Sequence, residues 1–458
     1  MEENVKAWGI TPQEAALADG CIDKALKAGA DKIRVTLNKS MMDLYVLLNG
    51  ELDKVSHSGD RSICINLFAD GKYGAFSTNK LSDADLDDFM AKAVETVKML
   101  APDEFRQLPD PSRTAKGALT GTELGVFDDQ YGTMDSARRL EIAMATTRYA
   151  ETHPEEYTLV SEEMEYSDSV YETYIVDSNG TKCRHIETAF EVGCEATVED
   201  KEGHKFSGYW WESSPFLSKL NYQRCCEKAI ARAAAQIGPK GHRGGKFNMV
   251  VENEVASKLI NPVLNALNAF SIQQQNSFLV DSLGKKVFSE GLSIMDLPLE
   301  KGKSGARMFD SEGVATKNAP IIKDGVISQY FVSTYMAGKM GIEPTIEDAT
   351  RAAIMPFNRE GTVTEGFGAK DMVKILGKGI FVTGFNGGNC NSATGDFSYG
   401  VEGFAFSRGR ITHPVRGMVI TGNFLELWNN LVAAGNDARD GMSKVIPSLA
   451  FENVDFSA

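Results

Sequence analysis

Residues 33–77 read IRVTLNKSMMDLYVLLNGELDKVSHSGDRSICINLFADGKYGAFS. Four strand-like runs stand out: Ile33–Leu37, Leu44–Leu48, Leu52–Val55 and Ile63–Phe68. Asn49-Gly50 and Asp70-Gly71 lie where the chain must reverse, and both dipeptides tolerate the positive φ of tight hairpin turns. The pattern predicts an antiparallel meander that finishes in Tyr73–Ser77. A helix is predicted before it: Thr11-Pro12-Gln13-Glu14 is a capping-box pattern with proline at the first helical position. Ala15, Leu17, Ile22 and Leu26 give that helix its apolar side, and Gly29 is a natural stop. Ser82 caps a second predicted helix, Ala84–Leu100. This module therefore reads helix, meander, helix.

Pro102, Pro109 and Pro111 mark a linker, after which the same order returns. A helix is predicted at Asp135–Glu151. Strands follow at Tyr157–Glu165, Val170–Val176, Cys183–His185, Phe190–Val198 and Lys205–Trp211, then a helix at Lys219–Gln236. A second linker holds Gly238, Pro239, Gly241, Gly244 and Gly245. The remainder is glycine-rich and mainly strand-like, with helices expected at Glu254–Ala269 and Phe424–Ala433. Three domains are expected: 1–112, 113–238 and 239–458. Hairpin turns recur and β-α-β alternation does not. The fold class is therefore α+β, with two helix–antiparallel meander–helix modules and a mainly antiparallel β C-terminal domain, and not a doubly wound nucleotide fold.

The chain has 458 residues and a formal net charge of −15. Phosphate backbones repel such a surface, so no nucleic-acid partner is expected. The longest apolar runs are too short to span a bilayer, and the N-terminal MEENVKAWG has no apolar signal core. The seven cysteines are scattered and no C-x-x-C pair occurs. Reduced, mostly buried thiols and a cytoplasmic location are expected. The six histidines never recur at metal-ligand spacing, and no H-E-x-x-H, Cys/His cluster, G-x-S-x-G elbow or Walker loop occurs.

Two places carry candidate chemistry. Strand-like Phe247–Val251 delivers Asn253-Glu254 to a predicted helix start, where the helix dipole favours a carboxylate. Glu254 and Lys258 also stand four residues apart in the favourable order for an ordinary ion pair. Further on, Gly384, Gly387, Gly388 and Asn389 form a predicted turn cluster ahead of the loop SATGDFS, 392–398. Backbone left bare by glycine can pair with an extended peptide, or serve only as hairpin punctuation.

Eight collinear blocks give the chain a resemblance to the PmbA/TldD family, also called modulators of DNA gyrase or U62 metallopeptidases. They are GADKIRV (29–35), LLNGELDKV (47–55), DGKYGAFSTNKLS (70–82), EYSDSVYETYIVDSNG (165–180), SFLVDSLGKKVF (277–288), FDSEGVATKNAPIIKDGVISQYFVSTYMAGKMG (309–341), NSATGDFSYGVEGF (391–404) and PVRGMVITGN (414–423). In the TldD-like branch, an H-E-x-x-x-H helix and a C-terminal cysteine hold the metal, and the glutamate activates its bound water. The matching residues here are Asn253 to Lys258. Asn253 and Lys258 replace the two histidines, Glu254 alone keeps its place as the candidate catalytic residue, and 435–456 contains no cysteine. The resemblance therefore implies the PmbA (TldE-like) branch, with no metal in this chain and zinc in a TldD-like partner subunit. The pair would be a cytoplasmic metallopeptidase acting on unfolded or extended peptides, including antitoxin and microcin-precursor substrates. Gly387, Gly388, Asn389, Asp396 and Ser398 would supply peptide-pairing backbone. Whether the chain pairs with itself as a homodimer when the partner is missing stays open. Two alternatives stay open: an autonomous peptidase using Glu254 with His413 or Asp396, and a binding protein that modulates DNA gyrase or toxin–antitoxin partners.

Overall fold

The computed structural model describes residues 8–458; the first seven residues of the N-terminal segment read above lie outside them. Two compact units are present. One runs to Arg232 and takes in Leu299–Thr316 and Ser333–Ile346; the other comprises Ala233–Pro298, Lys317–Val332 and Glu347–Ala458.

The first unit contains α1 (Pro12–Lys27), β1 (Lys32–Leu48), β2 (Glu51–Ala69), β3 (Lys72–Thr78), α2 (Asp83–Lys98), α3 (Ser136–Thr146), β4 (Tyr157–Asp177), β5 (Lys182–Asp200) and β6 (Lys205–Ser214). The last helix of the second module, α4 (Cys225–Ala234), follows two short 3-10 turns. The strands form one six-stranded antiparallel sheet in the order β3-β2-β1-β4-β5-β6. Each module contributes a three-strand meander, and the two meet where β1 pairs with β4 from Arg34↔Asp177 to Leu48↔Glu163. Asn49 and Gly50 both take positive φ at the first turn, as do Asp70 and Gly71 at the second.

The strands are longer than the apolar pattern predicts. Ile33–Leu37 and Leu44–Leu48 are two ends of the 17-residue β1. Leu52–Val55 and Ile63–Phe68 likewise lie in the 19-residue β2, and the paired runs at 157–176 and 183–198 belong to β4 and β5. The polar centres between them hold no proline and stay in the ladder through cross-strand partners. Asn38 faces Ser62 on one side and Thr173 on the other, and its Oδ1 accepts the Tyr171 hydroxyl at 2.9 Å. The predicted helix at Lys219–Gln236 shortens to α4, and Asp135 is the N-cap of α3, which ends at Thr146.

Ile33, Val35, Leu37, Ile63, Ile65 and Leu67 pack against Ala18, Cys21 and Ala25 of α1 and Leu86, Met90, Val94 and Val97 of α2. Each buried aliphatic side chain contributes about 1.5–3 kcal/mol. The capping box forms as predicted, and its Glu14 carries more than the cap. The carboxylate accepts Thr11 N–H at 2.8 Å, Arg61 at 2.7 Å and Lys39 at 3.1 Å. Burial raises the pKa of Glu14, but Arg61, Thr11 and Lys39 together outweigh it and bring it from an ordinary 4.5 down to about 2. A depressed carboxylate stabilises the fold above its unfolded pKa, and that contribution fades as pH falls from 4.5 towards 2. Glu14→Gln is expected to cost about 2 kcal/mol at neutral pH, allowing for solvent screening of the half-exposed Arg61. Urea melts across pH should show the two proteins converging near the acid end.

The second unit begins with β7 (Gly245–Val251), α5 (Ser257–Ala266), α6 (Ala269–Gln273), β8 (Ile294–Asp296), β9 (Ala319–Lys323) and β10 (Val326–Ile327). After α7 (Thr334–Met340), on a segment of the first unit, come β11 (Ala352–Ile354), β12 (Phe357–Asn358), α8 (Ala369–Leu376), β13 (Lys378–Cys390), β14 (Asp396–Ser407) and β15 (Arg410–Asn423). The chain closes with α9 (Phe424–Asn429), β16 (Leu431–Ala434) and β17 (Leu449–Ser457). A small sheet orders β10-β9-β8-β11; the large one orders β12-β16-β17-β15-β14-β13-β7. Because β7 also pairs with β17, five of these strands close into a barrel, which removes free edges over the paired stretch. The β7–β13 pair is parallel and the rest of the sheet is antiparallel.

Three local expectations change here. The helix read from Glu254 starts at Ser257, and Asn268 caps a separate helix, α6. The helix read through Ala433 stops at Asn429, because Leu431–Ala434 are all buried and pair with β17. The glycine turn cluster is bulged strand: β13 shifts register against β14 between Val382 and Gly384 and between Asn386 and Asn389. A Cβ on Gly388 would lie 2.0 Å from Ser398 O, and its φ is +80°, so only glycine fits.

Candidate functional site

The turn between β7 and α5 is built by backbone bonds. Glu252 O accepts both Val255 and Ala256 N–H at 3.0 Å, and Val255 O accepts Lys258 N–H at 3.1 Å. This tight turn presents Asn253 and Glu254 to the C-terminal segment. The Glu254 carboxylate accepts a hydrogen bond from Arg439 Nη1, and the two side chains are only 8% and 14% exposed. Asn253 is also committed: its Nδ2 donates to Asp437 O at 2.5 Å and its backbone N–H donates to Ser448 Oγ at 3.2 Å. Ser448 donates to both Asp437 carboxylate oxygens, from its N–H at 2.8 Å and its Oγ at 2.7 Å. Gly368 and Gly435 leave room for that carboxylate; a Cβ on either would come within 2.3 or 2.4 Å of it. Beside the turn, Glu252, Asn253, Asp437, Ser448, Lys374 and Arg410 line an open cavity of about 720 Å³.

Lys258 points another way. Its Nζ lies 4.8 Å from the Tyr399 ring centroid, a cation–π contact. Tyr399 stacks on Phe397 at 5.4 Å and meets Phe385 edge-on at 6.0 Å. Burial, with a smaller effect from Cys390, pushes the Tyr399 phenol up to about 12, so at neutral pH it presents a π-face and not an anion. Through this contact the Asn253–Lys258 turn abuts the start of β14, where Ser398 pairs with Asn389.

The remaining predicted residues fall nearby or apart as follows. Gly387, Gly388 and Asn389 lie in the outer half of β13, beyond Ile380–Val382, the stretch that pairs with β7. The Asp396 carboxylate accepts Asn423 Nδ2 at 2.9 Å and the Thr394 hydroxyl at 2.7 Å. Those two bonds, Asn423 first, hold it below the usual carboxylate range. His413 pairs with Ala405, whereas Asp396 pairs with Asn423. Nine residues of strand therefore separate the two along the hairpin, about 30 Å at 3.3 Å per residue. They do not converge on one site.

Zinc does not fit the donors at the motif turn. An asparagine oxygen is a feeble zinc ligand, the Glu254 carboxylate is paired with a guanidinium and a protonated lysine has no lone pair, so the turn offers no set of three converging donors. No sequence pattern points to Arg439, Asp437 or Ser448. The string GNDARD marks a loop but gives no sign of its partner.

Residues 44–97, 130–237 and 244–458 match, in turn, PmbA/TldA metallopeptidase domain 1, central domain and C-terminal domain. This chain belongs to the PmbA/TldD family. Among its relatives, the metalloprotease PmbA of Escherichia coli O157:H7 is 26% identical over 85% of this chain and 84% of its own length. A Bacteroides thetaiotaomicron structure described as a candidate modulator of DNA gyrase is 36% identical, with a TM-score of 0.92 over 98% of this chain and 100% of that one. TldE from Thermococcus kodakarensis shares the fold, with a TM-score of 0.80 at 17% identity over 96% of this chain and 100% of that one. Relatives of this PmbA/TldD chain are thus named metalloproteases. Among the described residues, no helix is long and apolar enough to cross a membrane.

Proposed function

We propose that this chain is the PmbA/TldE-like, non-metal-binding subunit of a cytoplasmic TldD/TldE-type metallopeptidase that degrades unfolded or extended peptides. The observation that carries the reading is the Glu254–Arg439 ion pair at the place of the family's metal helix. A guanidinium sits where a cation would have to engage the carboxylate, and neither Asn253 nor Lys258 replaces the missing imidazoles. Zinc and the water it activates belong to a TldD-like partner. This chain contributes the second half of the enclosure; the outer backbone of β13 near Gly387–Asn389 pairs with extended substrate, and the side chains of Asp396 and Ser398 on the neighbouring β14 flank it.

The test is reconstitution. The chain alone should leave an unfolded peptide intact. Mixed with an H-E-x-x-x-H relative from the same cell, it should co-purify as a stoichiometric complex whose cleavage a chelator abolishes. Chelator-sensitive cleavage by the chain alone would refute the reading. A second reading, a binding protein that modulates DNA gyrase, draws on the description of the Bacteroides relative. Salt-sensitive capture of gyrase with no TldD-like partner present would favour it.

A further inference from the structure

A second group of donors lies in the first unit, apart from the motif turn. Glu162 on β4, Cys194 on β5 and Cys226 in the first turn of α4 place a carboxylate oxygen and two sulfurs within 4.8 Å of one another. None is more than 1% exposed. The convergence is built by the backbone. Met164 and Cys194 are register partners that share the buried face of the sheet. Glu162 stands two residues before Met164 and falls on that face by plain alternation, opposite Ala196. Cys226 Sγ, at the start of α4, then lies within 4.8 Å of Cys194 Sγ.

Glu162 does accept local hydrogen bonds, from the Thr147 hydroxyl and from Arg148 N–H at 3.0 Å. A glutamine oxygen would serve those donors without burying a charge, which costs several kcal/mol unless it is matched. Two thiols and an acid in a dry pocket do not match one another. A cation matches all three.

We propose that Glu162, Cys194 and Cys226 form a binding site for a thiophilic divalent cation of the zinc class. Zinc–sulfur bonds of about 2.3 Å in a tetrahedron place neighbouring donors about 3.8 Å apart. The three atoms therefore need to close by only about 1 Å. With both thiols ionised, the three donors carry one negative charge more than a divalent ion neutralises. The Arg148 guanidinium, which also pairs with Glu151 at 3.3 Å, offsets part of the remaining charge. The site ties together the segment after α3, strands β4 and β5, and α4. The three residues supply three of a tetrahedral ion's four ligands, and the site is separate from the motif turn.

The full chain, purified reduced and metal-free, is titrated with cobalt(II) as the spectroscopic probe. The expected result is a sulfur-to-cobalt charge-transfer band that saturates at about one equivalent and is displaced by zinc. Cys194→Ser and Cys226→Ala should abolish the band, and Glu162→Gln should weaken cobalt binding roughly tenfold or more. Asp200→Asn should leave it unchanged, because the Asp200–Glu202–His204 group at the β5–β6 turn contains no sulfur. No charge-transfer band in the folded wild-type chain overturns the proposal, whatever the variants do. So does a band that survives in both cysteine variants.

Discussion

Arg139→Met is expected to destabilise the first unit by about 3–5 kcal/mol, the cost of removing one partner from a buried ion pair. Asp43 on β1 and Asp168 on β4 are direct cross-strand partners, and both are buried. Like charges placed opposite one another weaken a sheet. Arg139, reaching in from α3, makes the arrangement tolerable. Its Nε and Nη2 donate to the two Asp168 oxygens at 2.8 and 2.9 Å, and Nη2 lies 3.2 Å from Asp43 Oδ2. The Tyr166 hydroxyl and His57 Nδ1 complete the group, at 2.8 Å from Asp168 and 3.0 Å from Asp43. Methionine fills much of the same volume but leaves two acids face to face. Denaturant melts should show the full loss at neutral pH. Adding Asp43→Asn should recover part of it, and a simple sum of the two single effects would contradict this account of the network.

The second large effect is expected at Gly388. Valine there would have to move Ser398 O out of the way and hold a backbone φ of +80°. The bulge that shapes the outer half of β13 cannot then form. In a reconstituted pair, Gly388→Val should lower peptide turnover roughly tenfold or more, equivalent to at least about 1.4 kcal/mol. Gly387→Ala is the control: no atom lies within 4 Å of an added Cβ there, so it carries only the backbone strain of a positive φ. Equal turnover in all three proteins would mean that this strand does not meet substrate.

Much of the α+β fold could be read directly because turns are local. Asn49-Gly50, Asp70-Gly71 and the Thr11–Glu14 cap each declare themselves within four residues. Strand length could not be read this way. What carries β1 through its polar centre is Ser62 on one neighbour and Thr173 on the other, and no window along the chain contains all three. The same limit governs the site. The Asn253, Glu254 and Lys258 positions were visible from the resemblance. Arg439, the partner that gives Glu254 its present role, lies 185 residues away in a loop with no pattern of its own. Cys194, Cys226 and Glu162 show the limit again, since the β4–β5 pairing and the start of α4 bring them together.

The account rests on Glu254 serving as the counter-ion of Arg439 while hydrolysis takes place in the partner. Turnover by a reconstituted pair carrying Glu254→Gln in this subunit tests that most directly, measured well below the complex's melting temperature. Glutamine keeps the hydrogen bond to Arg439 and cannot act as a base. The account predicts turnover within about twofold of the unmodified pair, whereas removing a general base costs about a hundredfold or more. A loss of that second size, in a complex that still assembles and still binds zinc in the partner, would place the catalytic carboxylate in this chain and contradict the account.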